Sequence, residues 1–96
     1  MSDSYRVIIS PAALTQLGRI LEYIAQDSLA NAVRVIDNLL AEIDSLERFP
    51  GRRAEVQTKE GLLRRMPCPP FRILYEINHS QPTVRVMAVQ HGAQRS

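Results

Sequence analysis

The chain has 96 residues, 45% of them apolar, and a formal charge of only +2. A chain this short builds one domain across residues 1–96 and buries roughly 60% of the surface its unfolded form exposes, which excludes multidomain architectures and barrels. The near-neutral total hides an asymmetry: residues 1–47 carry three arginines against seven acids, a balance of −4, and residues 48–96 carry nine Lys and Arg against three acids, a balance of +6.

The basic half is almost pure arginine, Lys59 being its single lysine. The planar guanidinium fork suits phosphate or carboxylate recognition, so a nucleic-acid-related or acidic partner is expected. The longest uncharged stretch, residues 7–18, contains Pro, Ser, Thr and Gln and falls short of the ~20 apolar residues that span a bilayer, so no membrane segment is expected. The opening Met1-Ser-Asp-Ser4 lacks the basic start and apolar block of a secretory signal, and the lone Cys68 has no partner for an internal disulfide. A cytoplasmic location is the expectation.

In chain order, Tyr5-Arg-Val-Ile-Ile9 is short and β-branched and predicts a strand. Ser10-Pro11 then supplies an N-cap followed by proline in the first helical turn. At 100° per residue, Ala13, Leu14, Leu17, Ile20, Leu21, Ile24 and Ala25 share one arc, with Thr15, Arg19, Glu22 and Gln26 opposite, which predicts an amphipathic helix ending near Asp27. Ser28 caps a second helix, in which Leu29, Ala32, Val33, Ile36, Leu39, Leu40, Ile43 and Leu46 keep helical spacing until Pro50-Gly51 stops it. Two helices with almost no loop between them form an antiparallel hairpin. The second apolar arc is wide: Val35, Leu39 and Leu46 extend it beyond Val33, Ile36, Leu40 and Ile43, as a helix serving two surfaces would require.

Residues 50–61 are polar and charged without periodicity and predict a loop. Three strands follow. Residues 62–68 form the first, Phe71-Arg-Ile-Leu-Tyr-Glu-Ile77 alternates cleanly, and Thr83-Val-Arg-Val-Met-Ala-Val89 alternates again after the turn Asn78-His-Ser-Gln-Pro82. The expected fold is α+β with the order β-α-α-β-β-β, a helical hairpin packed on one face of a small antiparallel sheet.

Strict alternation then assigns the faces. Phe71, Ile73, Tyr75 and Ile77 meet the helices together with Val84, Val86 and Ala88, leaving Arg72, Leu74, Glu76, Arg85, Met87, Val89 and His91 on the opposite face. Arg64 and Arg65 point in opposite directions in a regular strand, so one of the two joins Arg72 and Arg85. Charges on the open face of an antiparallel sheet serve solubility in many proteins. Several arginines converging with a glutamate and a histidine also make an anion or phosphate site, or a simple nucleic-acid-binding surface.

Other chemistries find little footing. Cys68, His79 and His91 lack metal-ligand spacing, so no metal or other cofactor is expected. The serines stand outside any catalytic-triad context, and no glycine-rich phosphate loop follows a strand. Cys68, between Pro67 and Pro69, reads as a small packed residue.

The opening strand followed by Ser10-Pro11-Ala12-Ala13, the segment Ile20-Leu-Glu-Tyr-Ile-Ala25, the helix end Leu46-Glu-Arg-Phe-Pro-Gly-Arg52, the strand Phe71-Arg-Ile-Leu-Tyr-Glu-Ile77 and the terminal Val89-Gln-His-Gly-Ala93 together resemble ParE-type toxins of the RelE/ParE superfamily. The resemblance spans nearly the whole chain. It implies the toxin half of a type II toxin–antitoxin module of the plasmid-stabilisation kind, neutralised by a small ParD-like antitoxin in a hetero-oligomer. ParE members are associated with poisoning DNA gyrase and blocking replication, whereas RelE members cut messenger RNA on the ribosome. The terminal His91-Gly92-Ala93 is similar to the ending of ParE relatives, except that Gln94 stands where arginine is usual and Arg95 comes one residue later.

On the gyrase reading, Arg64, Arg65, Arg72, Arg85, His91 and Arg95 are the expected target-binding residues and there is no catalytic residue. On the nuclease reading, Glu76 or His91 serves as base or acid, while Arg72 and Arg85 hold the phosphate. RNA recognition ordinarily clamps an unstacked base on an aromatic ring, and no aromatic follows Tyr75, so the non-enzymatic gyrase poison is favoured. The wide arc of the second helix, Val35, Leu39 and Leu46, is the expected seat of an amphipathic antitoxin helix, with an extended antitoxin segment along a sheet edge.

Overall fold

A computed structural model describes residues 4–92. Strand β1 (Arg6–Ile9) leads into helix α1 (Pro11–Ala25) and helix α2 (Leu29–Asp44). Two short 3-10 turns, Ser45–Glu47 and Pro50–Arg52, follow before strands β2 (Glu55–Thr58), β3 (Gly61–Cys68), β4 (Phe71–Asn78) and β5 (Thr83–His91). The expected α+β order holds, with one strand added. No helix among the described residues is long and apolar enough to cross a membrane.

Both helix starts follow from their serines. Ser10 Oγ accepts the Ala13 amide at 3.1 Å and Ser28 Oγ accepts the Asn31 amide at 3.1 Å, each cap contributing about 1 kcal/mol. Ser10 is itself buried, and its hydroxyl also donates to the Met87 carbonyl at 3.4 Å, tying the start of α1 to β5. Helix α2 ends earlier than its apolar spacing suggests. The Ser45 amide reaches both the Ala41 and Ile43 carbonyls, which tightens the chain into a 3-10 turn that carries Leu46.

The five strands form one sheet in the order β1-β5-β4-β3-β2. Strands β2 to β5 are antiparallel neighbours, and β1 runs parallel to β5, so the sheet is mixed where an antiparallel one was expected. The parallel pair joins strands distant in sequence: the helical hairpin carries the chain from β1 to β2 on the far edge, and the meander β2–β5 brings it back beside β1. The stretch read as a loop contains β2, an edge strand paired with β3 through a tight turn. Gly61 closes that turn at φ +108, a conformation open to glycine and strained for other residues.

The helices cover one face. Ala13 and Leu17 of α1, Leu39 and Ile43 of α2, Leu46, and Met66, Ile73, Tyr75, Val84, Val86 and Val89 of the sheet form a single buried cluster. Leu39 and Leu46, 1% and 3% exposed, belong to this core and are closed to any partner. Within the wide arc of α2, Leu39 and Ile43 are taken up by the core, where the helix meets α1 and the sheet at once, whereas Leu29, Val33 and Leu40 stay exposed.

Candidate target-binding face and partner groove

The register of β4 against β5 shifts between Leu74 and Tyr75: Tyr75 opposes Val86 and Leu74 opposes Ala88. Met87 is thus an extra residue on β5, a β-bulge, and beyond it every side chain changes face. Val89 enters the core and His91 joins the helix side, whereas Ala88 and Gln90 turn to the open side, the reverse of what strict alternation predicts for all four. The α1 side chain of Gln16 stabilises this rearrangement, its Oε1 accepting the Val89 amide at 2.6 Å.

The open face therefore holds Arg65, Arg72, Glu76, Arg85 and Gln90. Register pairs Arg65 with Leu74, Arg72 with both Pro67 and Gln90, and Glu76 with Arg85. Arg72 Nε donates to Gln90 Oε1 at 3.1 Å, which holds that guanidinium against the sheet. Gln90 is a residue that alternation could not find, since its facing depends on the bulge. Leu63 and Leu74 are buried yet lie outside the main cluster, so the arginines stand around an apolar floor. Arg72 and Arg85, the register partner of Glu76, lie four residue positions apart measured along β4, about 13 Å at the usual rise. That spacing spreads positive charge over a surface and does not concentrate it on one phosphate.

Arg64 is not part of this face. It points to the helix side, where Nη1 donates to the carbonyls of Gly51 at 3.2 Å and Arg53 at 2.7 Å, and Nη2 lies 3.8 Å from Glu55. Beside it the Tyr75 hydroxyl donates to the Pro50 carbonyl at 2.5 Å. Arg64 is a structural residue that secures the 50–53 turn. Arg95 falls outside the described residues, as does Gln94.

His91 stands at the opposite end of β4 from Glu76 and on the other face, packed edge-to-face on Phe71 with ring centroids 5.5 Å apart. The next residue, Gly92, donates its amide to the Pro70 carbonyl at 2.6 Å, and a Cβ there would sit 3.0 Å from that oxygen. Glycine suits this close approach, where a side chain would press on the Pro70 carbonyl, which gives the His91-Gly92 pair a physical reason. His91 and Phe71 form one wall of a groove of about 710 Å³, whose other walls include Ile20, Tyr23 and Ile24 of α1 and Val35 of α2. Val35 is half-buried and is the one residue of the expected antitoxin set that lines an open surface.

Burial raises the Cys68 thiol above its ordinary pKa and the Glu42 carboxylate adds to the effect, so the sulfur stays protonated at neutral pH and is a poor nucleophile. Among the described residues no group of three or more His, Cys, Asp or Glu could hold a metal ion.

Three solved structures share this architecture at low sequence identity. A chain of the chromosomal ParDE toxin–antitoxin system from Pseudomonas aeruginosa superposes with a TM-score of 0.77 at 12% identity, covering 94% of this chain and 98% of that one. A chain of the RelBE toxin–antitoxin complex from Mycobacterium tuberculosis gives 0.65 at 22% identity, covering 98% of each. A chain of the archaeal RelE–RelB complex from Pyrococcus horikoshii gives 0.69 at 15%, covering 96% and 99%. A search of curated protein sequences finds no match. The family model described as the ParE toxin of the type II toxin–antitoxin system parDE matches residues 7–96. With the α-hairpin seated on one face of the sheet and the match running through both helices and every strand from residue 7 on, the chain belongs to the ParE toxin family.

Proposed function

We propose that this chain is the toxin of a type II pair, that it blocks replication by binding DNA gyrase, and that it does so without catalysing a reaction. The observation that carries this reading is the separation of the two acid–base candidates. Transesterification of RNA needs a base and an acid within hydrogen-bond reach of one phosphate. Glu76 and His91 lie on opposite faces of the sheet, five residues apart along β4 by their partners. Among the described residues the open face offers Arg65, Arg72 and Arg85 for binding, with Glu76 as the carboxylate beside Arg85 in register.

The test is to add the purified toxin to gyrase with supercoiled plasmid, and in parallel to translating ribosomes. The expected result is accumulation of cleaved gyrase–DNA complexes with messenger RNA left intact. Messenger cut on the ribosome with unaltered gyrase would overturn the reading in favour of the nuclease.

The antitoxin seat is the groove between the helices and the end of β4. Its walls are mostly apolar, as an amphipathic helix requires, and Tyr23 is 75% exposed at its rim. Substituting Tyr23→Asp should weaken antitoxin binding at least about tenfold, as truncation of an aromatic anchor in an interface does, with the unfolding midpoint unchanged. Val35→Asp should do the same at some cost in stability, because Val35 also packs against the core. Unaltered affinity in both variants would reject this seat.

A further inference from the structure

A second cleft lies at the other end of the molecule, where β1 begins and the β4–β5 hairpin turns. It has a volume of about 400 Å³ and is walled by Tyr5, Phe49, Pro50, Arg52, His79 and Pro82. Phe49 is the one non-glycine residue with positive φ among those described, at +50, and its ring is 61% exposed. A bulky residue in the left-handed region persists only where its surroundings over-determine it, and such strain gathers at ligand sites.

The surroundings here do so. The Tyr75 hydroxyl and the Arg64 guanidinium grip the carbonyls of Pro50, Gly51 and Arg53 from beneath. On the other side the Tyr5 amide donates to the Glu47 carbonyl at 2.7 Å, and Ser4 pairs with Arg48 as an isolated bridge. The strained turn is held rigid while presenting a flat apolar ring to solvent, although a solvent-facing ring contributes nothing to the core.

The opposite wall is equally fixed. The Tyr5 hydroxyl and His79 Nδ1 share a hydrogen bond of 3.0 Å, and their rings meet edge-to-face at 6.0 Å. The Arg6 amide donates to the Pro82 carbonyl, which pins the hairpin turn beside them. Among the described residues no acidic side chain lines the cleft, and the Arg52 guanidinium has no hydrogen-bond or ion-pair partner. An exposed aromatic face, a cation available for pairing and an imidazole at the rim, in a space of this size, match a ligand that is flat at one end and anionic at the other.

We infer that this cleft binds a nucleotide, its base stacked on Phe49 and its phosphate paired with Arg52. The ligand is a free nucleotide or one unit of a single strand, which share this chemistry. The inference is independent of which target the toxin reaches, since it uses none of the open-face arginines.

The test is titration of the isotope-labelled chain with AMP, followed by amide resonances. Saturable shifts centred on Tyr5, Phe49, Arg52 and His79 are expected. Phe49→Asn removes the ring while keeping a residue that tolerates the left-handed conformation, so the fold should be retained and binding should weaken about tenfold. Arg52→Gln should weaken it without altering the shifts that report stacking. A pentaadenylate strand that binds these residues more tightly than AMP, and loses that advantage as salt rises, identifies single-stranded nucleic acid as the source. Equal binding identifies the free nucleotide. Shifts reproduced by inorganic phosphate alone, or AMP shifts unchanged in Phe49→Asn, or a cleft closed to AMP, would each overturn the inference.

Discussion

Replacing Tyr75 with alanine should destabilise the domain by about 3–5 kcal/mol, a large share of the roughly 0.05–0.15 kcal/mol per residue that holds a chain of this length folded. Tyr75 is 0% exposed and is the largest fully buried side chain. Its ring sits in the same cluster as Leu39 and Ile43 of α2 and Val84 and Val86 of β5, so truncation opens a void that residues on several elements would have to fill. Tyr75→Phe isolates the hydroxyl. It leaves the ring in place but deprives the Pro50 carbonyl of its donor, which should cost about 1–2 kcal/mol.

The two variants also differ from the parent in alkali. Burial raises the Tyr75 hydroxyl above the ordinary 10.0, with Arg64, Arg53 and Arg52 pulling it partway back. The folded state thus keeps a proton that the unfolded chain releases. Stability from this group is constant through neutral pH and falls as pH rises past about 10, and Tyr75→Phe removes that part of the fall. Urea unfolding with an unchanged slope is the measurement. A Tyr75→Phe midpoint equal to the parent's would show that the 50–53 turn is held by Arg64 alone.

Much of the fold was legible because its signals are local. Ser10-Pro11 and Ser28 announce two helices, and both caps form as read. The strand Phe71-Arg-Ile-Leu-Tyr-Glu-Ile77 alternates because one face meets the helices, and Ile73 and Tyr75 are indeed buried there. What escaped the sequence is set by long-range pairing. Glu55-Val-Gln-Thr58 is a strand because β3 offers it an edge, and a four-residue polar segment carries too little periodicity to reveal that. The bulge at Met87 was hidden for a similar reason. Val86-Met-Ala-Val89 is apolar throughout, so a change of face inside it leaves no gap in the pattern; the one available signal was that alternation would have put Val89 on the face that carries Arg72, Glu76 and Arg85.

These errors shaped the reading of the site. With Val89 assigned outward, His91 followed it to the arginine face and joined Glu76 there in a nuclease-like constellation of acid–base candidates. The bulge dissolves that constellation and places His91 in the groove with Phe71 and Val35. The choice between Arg64 and Arg65 was likewise open in the sequence, because alternation says that one faces out and cannot say which. The carbonyls of Gly51 and Arg53 decide it by taking Arg64. Leu39 and Leu46 were mistaken for a docking surface because a helix wedged between a second helix and a sheet shows the same wide apolar arc as one that awaits a partner.

The charge asymmetry can now be tested on the residues that bear it. The double reversal Arg65→Glu with Arg85→Glu should abolish toxicity in cells, restoring colony counts to those of an empty vector. Each charge-assisted hydrogen bond to a phosphate or carboxylate contributes about 1.5–3 kcal/mol, so losing two lowers target affinity at least about a hundredfold. Both guanidinium groups are exposed and lack partners among the described residues, so the fold should be unaffected to within about 0.5 kcal/mol. Arg64→Glu should also abolish toxicity, but by unfolding the 50–53 turn, and the two outcomes separate in a thermal melt. The neutral changes Glu76→Gln and His91→Ala complete the argument. A binding poison should keep its toxicity in both, with His91→Ala altering antitoxin affinity instead, because His91 lines the groove and Glu76 contributes no cation. A nuclease would lose activity on removal of either group that moves its proton. Toxicity that survives the double arginine reversal, or that collapses in Glu76→Gln with the fold intact, would show that the open face acts by chemistry other than binding.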